Sequence, residues 1–167
     1  RRRILRSCMG LDVEALDRTT DDAWSVFHAW RPWAIERRYW VLDQGFRGWL
    51  MRFEGAYDVP TLPFLYLIRR GAEPVGIFAG EYDPVTDEAQ IAVVIHTPDV
   101  AGTAIWTLGM RAMLFDFKPE AVHCGQRSER LKVFLGFQPH SGWMPVLTEK
   151  GLFMPADLQA KPFQIPS

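Results

Sequence analysis

Apolar side chains first recur at helical spacing in the segment that follows a threonine and aspartate cluster. The stretch TTDD (19–22) is typical of a helix start, because threonine caps a helix and acids favour its first turn. Trp24 and Phe27 continue the apolar spacing. Pro32 lacks a backbone N–H, so a short helix ending at Pro32 is predicted.

A second, longer helix is predicted from Trp33 to Phe53. Gly45 and Gly48 mark the place where it would break, since each costs about 1 kcal/mol relative to alanine in a helix. The apolar positions fall on one helical stripe. They are Ile35, Tyr39, Leu42, Phe46, Trp49, Leu50 and Phe53.

Three short apolar runs then predict an antiparallel meander. They are LPFLYLIRR (62–70), PVGIFAGEY (74–82) and AQIAVVIH (89–96). The separators GAE and DPVTDE are rich in residues that favour turns. The chain therefore changes from helix to sheet in this region.

The remaining pattern alternates between helix and strand. Apolar residues from Trp106 to Phe117 predict a helix that Pro119 closes. The elements predicted after it are a strand at AVHC (121–124), a helix at SERLKVFL (128–135) and a hairpin around TEKG (148–151).

Composition indicates one well-packed domain. The 167 residues are 48% apolar and 23% charged, and they include seven Trp and eleven Phe, unlike a disordered chain. No repeat or linker divides the sequence. We therefore predict a single domain over 1–155, followed by a proline-rich extension over 156–167.

The formal net charge of -1 argues against a general nucleic-acid binder, which ordinarily carries a basic face. Four arginines near the start are a local exception: Arg1, Arg2, Arg3 and Arg6. Two interpretations stay open for them. They form either a basic tail that contacts nucleic acid or another acidic partner, or a solvated terminus.

Cysteine and motif content excludes several classes of site. Cys8 and Cys124 are the only cysteines, so neither a disulfide framework nor a metal site is expected. Sequence motifs of serine hydrolases, nucleotide-binding P-loops and zinc proteases are absent. No apolar run reaches the ~18 residues of a membrane helix, so no membrane partner and a cytoplasmic location are expected.

The order of predicted elements resembles the GCN5-related N-acetyltransferase (GNAT) superfamily. Two stretches carry the resemblance, HTPDVAGTAIWTLGMRAMLFDF (96–117) and VHCGQRSERLKVFLGF (122–137), and the similarity covers about residues 62–150. The resemblance implies an α/β fold of the α+β kind, with a central mixed sheet of about six strands flanked by helices. It also implies acetyl-CoA as the acyl donor of an active member.

The first stretch is similar to the family's acetyl-CoA motif, a strand, a loop R/Q-x-x-G-x-G/A and a helix. There the unpaired N–H groups of the helix start hold the diphosphate. One alignment puts Ala101 at the Arg/Gln position and Trp106 at the last small position. Another puts Asp99 at the Arg/Gln position, with a carboxylate beside the diphosphate. The implied cofactor-binding residues are Gly102, Thr103, Ala104, Ile105 and Trp106.

The two alignments leave the role of Trp106 open. In the preferred, first alignment, the Trp106 indole fills the space of the diphosphate. The alternative interpretation is that Trp106 is a core residue that heads the apolar stripe of the helix.

The second stretch implies positions for the proton-transfer groups. Lys132 stands where the family has its general-acid Tyr, and Gly125 stands at the Asn position. Lys132 is either a proton donor or a solvent-facing side chain. His96, Glu81 and Glu88 are candidate general bases, His96 first because it ends a strand beside the loop; the alternative for His96 is a packed or capping residue.

These departures from the family pattern lead to two hypotheses. The first is a GNAT-like structural or interaction component, as in phage virion and internal proteins, without a cofactor and located in the virion if phage-encoded. Its protein partner would bind the aromatic and arginine-rich segment 24–53. The second is an active N-acyltransferase that uses acetyl-CoA to acylate an amine.

Overall fold

The computed structural model describes residues 6–36, 40–53, 61–124, 146–148 and 151–153. The chain divides into two compact units, Arg1–Arg127 and Ser128–Ser167. The first unit contains β1 (Asp12–Leu16), α1 (Asp21–Glu36), α2 (Trp40–Arg52), β2 (Leu62–Arg70), β3 (Glu73–Asp83), β4 (Glu88–His96), α3 (Gly102–Asp116) and β5 (Ala121–Cys124). The second contains a hairpin of β6 (Val146–Thr148) and β7 (Gly151–Phe153).

The described strands of the first unit form one mixed sheet in the order β1-β2-β3-β4-β5. Neighbours from β1 to β4 are antiparallel, while β4 and β5 are parallel and α3 connects them. The predicted meander and mixed sheet are therefore confirmed, and so is the hairpin around TEKG. The helix predicted at 128–135 lies outside the described residues.

Strand β1 was not predicted from the sequence. Its five residues, DVEAL, are too few and too polar to show a clear strand pattern. Pairing with β2 along its whole length forms this edge strand, and Arg69 of β2 strengthens it. The Arg69 guanidinium donates to Glu14 of β1 at 2.7 Å and to Asp22 of α1 at 2.6 Å. The strand thus depends on tertiary contacts.

The prediction that Pro32 ends the first helix is wrong, because α1 continues through it to Glu36. Trp30 and Ala34 are buried on either side of the proline. Their burial offsets the lost backbone hydrogen bond, which alone would break an isolated helix. Trp33 consequently belongs to α1.

The second predicted helix is confirmed over Trp40–Arg52 and shows no break at Gly45 or Gly48. Leu50 is buried against the core, as the stripe requires, and Phe46 and Trp49 pack against it. Ile35 does not belong to the buried stripe, since about half of it is exposed.

Helices cover both faces of the sheet. On one face, α1 and α2 pack on a cluster of alternating strand residues: Leu65, Leu67, Ile77, Ala79, Val93 and Ile95. On the other, α3 approaches β3 so closely that a Cβ on Gly109 would overlap the ring of Phe78.

A buried tyrosine fixes the end of α3. The Tyr66 hydroxyl of β2 donates to the Asp116 carboxylate at 2.6 Å. Burial and this carboxylate raise the pKa of Tyr66, so it stays a neutral donor.

Candidate functional site

A β-bulge interrupts the pairing of β3 with β4. Ala79 pairs with Val93 while Gly80 pairs with Ile91, so Ala92 is the extra residue of β4. A Cβ on Gly80 would overlap the carbonyl oxygen of Gln90 and lie 2.7 Å from the Phe64 ring. Glycine at position 80 is therefore what permits this irregular pairing. An isolated glycine in a strand pattern is the signal that could have predicted it.

The pairing of β4 with β5 ends at the same bulge. It runs from Glu88 opposite Ala121 to Ile91 opposite Cys124. Among the described residues, no strand pairs with the other half of β4, Ala92 to His96, on this side. Within the described part of the chain, that stretch therefore presents backbone N–H and C=O groups along an unpaired edge, called here the free edge of β4.

The loop after β4 is held against the β2–β3 end of the sheet. The Thr97 amide donates to the Val75 carbonyl at 2.9 Å, and the Val100 amide donates to the Thr97 carbonyl at 3.1 Å. Asp99 accepts from Arg70 of β2 at 2.6 Å. A hydrogen bond from Thr97 and the Arg70 guanidinium lower the pKa of Asp99 to about 2, so the loop carries a carboxylate at neutral pH.

Helix α3 begins with open backbone donors. Ala101 is its N-cap, has extended backbone geometry and makes no side-chain cap. The amides of Gly102 and Thr103 precede the Ala104 amide, which donates to the Ala101 carbonyl at 2.9 Å. The N–H groups of a first helical turn lack intrahelical acceptors and carry the positive end of the helix dipole. This end of α3 can therefore accept an anion.

The five residues proposed for cofactor binding separate into two groups. Gly102 and Thr103 are partly exposed at the loop, whereas Ala104, Ile105 and Trp106 are buried. The Trp106 ring meets Phe78 of β3 edge to face, with centroids 5.7 Å apart. This is the contact expected of a core residue. The occupation of a diphosphate pocket by the Trp106 indole stays a prediction.

His96 lies beside the first turn of α3. Its Nδ1 is 2.9 Å from the Thr97 carbonyl oxygen, which accepts a hydrogen bond when Nδ1 carries the proton. A Cβ on Gly102 would lie 2.9 Å from His96 Nε2, so glycine leaves room for the ring. The Trp33 ring of α1 lies on His96 at 6.4 Å between centroids.

The candidate bases occupy different places along the sheet. Glu81 faces Gln90, the pair next to the point where the β4–β5 pairing ends, and accepts from Thr61 at 3.4 Å. Glu88 pairs with Ala121 at the first residue of β5, and its carboxylate lies 3.4 Å from His123. His96 is five residues beyond Ile91, roughly 16 Å along a strand. Lys132 lies outside the described residues.

The aromatic segment 24–53 contributes mainly to the core. Trp30 is buried, while Trp24, Trp33 and Trp49 pack against the same cluster.

Among the described residues, no three potential ligands are grouped to hold a metal ion. In the same part of the chain, no helix combines the length and apolar character needed to span a membrane.

Two solved structures share the fold of this chain over most of their length. A GNAT-family acetyltransferase from Streptococcus pneumoniae TIGR4 is 12% identical, with a TM-score of 0.52 over 94% of this chain and 98% of that one. A GCN5-related N-acetyltransferase from Ralstonia eutropha JMP134 is 16% identical, with a TM-score of 0.54 over 81% and 97%. The fold is that of the GNAT acetyltransferases. No protein-family model and no curated protein sequence matches the chain.

The bulge and the free edge of β4 both belong to the mixed sheet of this GNAT fold. Sequence reasoning located the loop and the helix start of this GNAT fold, but it missed three contributors: Gly80, Ala92 and Arg70. Gly80 and Ala92 form the bulge, which the isolated glycine in the strand pattern could have indicated. Arg70 left none, because its partner Asp99 is distant in the chain.

Proposed function

We propose that this protein is an N-acyltransferase that transfers an acyl group from acyl-CoA to an amine. The observation that carries the proposal is the edge of β4 from Ala92 to His96, which no described strand pairs on this side and which leads directly to the first turn of α3. A free strand edge and a helix start together suit a long donor with amide groups at one end and phosphates at the other.

The residues present fit such a donor. The amides of Gly102 and Thr103 would hold the diphosphate, and the missing side chain at position 102 would let it approach the backbone. The Trp106 ring packs edge to face on Phe78 of the sheet, and this contact does not involve the amides of Gly102 and Thr103. The polar groups along the β4 edge would bind the amide-containing arm.

The bound donor supplies an activated thioester. In the reaction, the amine nitrogen attacks the thioester carbonyl carbon and loses a proton to the base. The C–S bond breaks, and the sulfur leaves as a thiolate that takes up a proton from solvent. Glu81 is the proposed base for the amine proton, since it is the candidate nearest the end of the β4–β5 pairing. His96 is better placed to line the phosphate end.

The alternative is a structural or interaction component, including one of a phage virion, that binds no acyl-CoA. The observation that favours it is Asp99, whose carboxylate in the loop opposes a diphosphate. The proposed partner-binding segment 24–53 would then act through its exposed side chains, of which Ile35 and Met51 are the apolar examples.

The melting temperature in millimolar acetyl-CoA separates the two proposals. A ligand at 100 times its Kd stabilises a protein by about 2.7 kcal/mol, so an acyl-CoA-binding protein shows a clear upward shift. We expect Gly102→Val to abolish this shift, because the new side chain would meet His96 and block the helix start. Thr103→Ala is the matched control and should keep the shift, since it leaves the backbone amide unchanged.

Release of free thiol from acetyl-CoA with a panel of amines tests the reaction itself. Turnover that depends on the amine supports the enzyme. A wild-type protein without thermal shift and without thiol release would refute the enzyme and favour the interaction component.

A further inference from the structure

We propose that Arg70 binds a phosphate of the acyl-CoA, and that Asp99 holds the Arg70 guanidinium until the phosphate takes its place. This inference rests on the proposed function. It assigns the cation of the donor site to strand β2, outside the loop and helix that the sequence motif covers.

Arg70 reaches the loop from the end of β2. Its Nη2 lies 2.6 Å from Asp99 Oδ2, which joins β2 to the segment between β4 and α3. Glu73, at the start of β3, orients the same guanidinium. Glu73 Oε2 accepts from Nε at 3.2 Å and from Nη2 at 2.8 Å. The position of the positive charge is thus set before any ligand arrives.

The guanidinium keeps donors available for a further anion. Within the described part of the chain, Nη1 donates to no acceptor, and 44% of the Arg70 side chain is exposed. A guanidinium offers paired N–H groups that match the oxygens of a phosphate. Arg70 can therefore donate to a phosphate from Nη1, and also from Nη2 once Asp99 leaves, without giving up Glu73.

The loop itself lacks such a cation. The family pattern has Arg or Gln at one position of the loop, and the two alignments put Ala101 or Asp99 there. Neither residue has a positive side chain. One arginine between two carboxylates leaves a net charge of -1 in this cluster. Asp99 consequently competes with the phosphate for Arg70 and also repels it.

Opposite effects of two substitutions test the proposal. Calorimetric titration of the full chain with CoA should show about tenfold weaker binding for Arg70→Ala and about threefold tighter binding for Asp99→Asn. Pantetheine, which has no phosphate, should bind both variants like the wild type. Arg111→Ala is the charge-matched control, because it removes one exposed arginine from α3 and should leave CoA binding unchanged.

Dephospho-CoA identifies the phosphate. A tenfold effect of Arg70→Ala that persists with dephospho-CoA supports contact with the diphosphate, and an effect that disappears supports contact with the 3′-phosphate. Urea denaturation of each variant checks that it is folded.

Four results would overturn the inference. Equal weakening of CoA binding by Arg70→Ala and Asp99→Asn would mean that the ion pair only shapes the loop. Equal weakening for CoA and pantetheine by Arg70→Ala would exclude a phosphate contact. A wild-type protein that binds no CoA would refute the proposed function as well, whereas binding that is indifferent to Arg70 would refute this inference alone.

Discussion

The close approach of α3 to the sheet makes Gly109 the most informative position for a stability test. A Cβ at this position would overlap the Cβ, Cγ and Cδ2 atoms of Phe78. Phe78 is fully buried on β3, so its ring has little freedom to turn away. Gly109→Ala must therefore push α3 away from β3.

The expected magnitude combines two opposing effects. Alanine is favoured over glycine in a helix by about 1 kcal/mol. Overpacking a buried contact costs about 1 to 3 kcal/mol, and the overlap with three ring and side-chain atoms of Phe78 places Gly109 toward the upper part of this range. The free energy of unfolding should fall by about 1 to 2 kcal/mol in Gly109→Ala.

Gly48→Ala is the matched control. Gly48 lies in α2, and a Cβ there would meet no atom within 4 Å. Only the helix preference then remains, and the free energy of unfolding should rise by about 0.5 to 1 kcal/mol. Urea denaturation followed by tryptophan fluorescence measures both variants. A Gly109→Ala variant as stable as Gly48→Ala would refute the described contact between α3 and Phe78.

Three further predictions concern the bulge, the candidate base and the loop carboxylate. Gly80→Ala should lower the free energy of unfolding by about 1 to 3 kcal/mol in urea denaturation, because its Cβ would overlap the Gln90 carbonyl; an unchanged midpoint contradicts this. In a thiol-release assay, His96→Ala should keep its pH–rate profile while Glu81→Gln loses about a hundredfold or more in kcat; the reverse pattern would make His96 the base. The pKa of Asp99 is lowered from 3.8 to about 2 by the hydrogen bond from Thr97 and by the Arg70 guanidinium. These two interactions therefore stabilise the fold above about pH 4, and the stabilisation is lost as the pH falls towards 2. Because the carboxylate is half-exposed, Asp99→Asn should lower the free energy of unfolding at neutral pH by less than about 1 kcal/mol and should weaken its fall with acid. An unaltered acid-unfolding curve would exclude the stabilising pair.

The hydrophobic pattern predicted the meander well because each strand is a short apolar run bounded by turn residues. The run at 62–70 coincides with β2, and β3 and β4 extend their predicted runs by one or two residues. The end of α1 was missed for a different reason. The burial of Ala34 beyond Pro32 is a tertiary contact, and no local propensity reports it.

The candidate site was predictable only in its local parts. The helix start at Gly102 and the position of the preceding loop follow from residues adjacent in sequence. The bulge at Ala92 needed knowledge of which residues pair across two strands. The ion pair of Arg70 with Asp99 joins separate elements, and its existence depends on the whole sheet being assembled.

Strand β1 has a consequence for the order of assembly. The strands from β2 to β4 pair with sequence neighbours through short turns, whereas β1 pairs with β2 across both intervening helices. Closing that large loop costs more chain entropy than closing a hairpin, so the meander gains its contacts first. The strand that docks late is also the least costly to detach. Native-state hydrogen exchange should accordingly find the amides of Asp12–Leu16 opening ahead of those in β3.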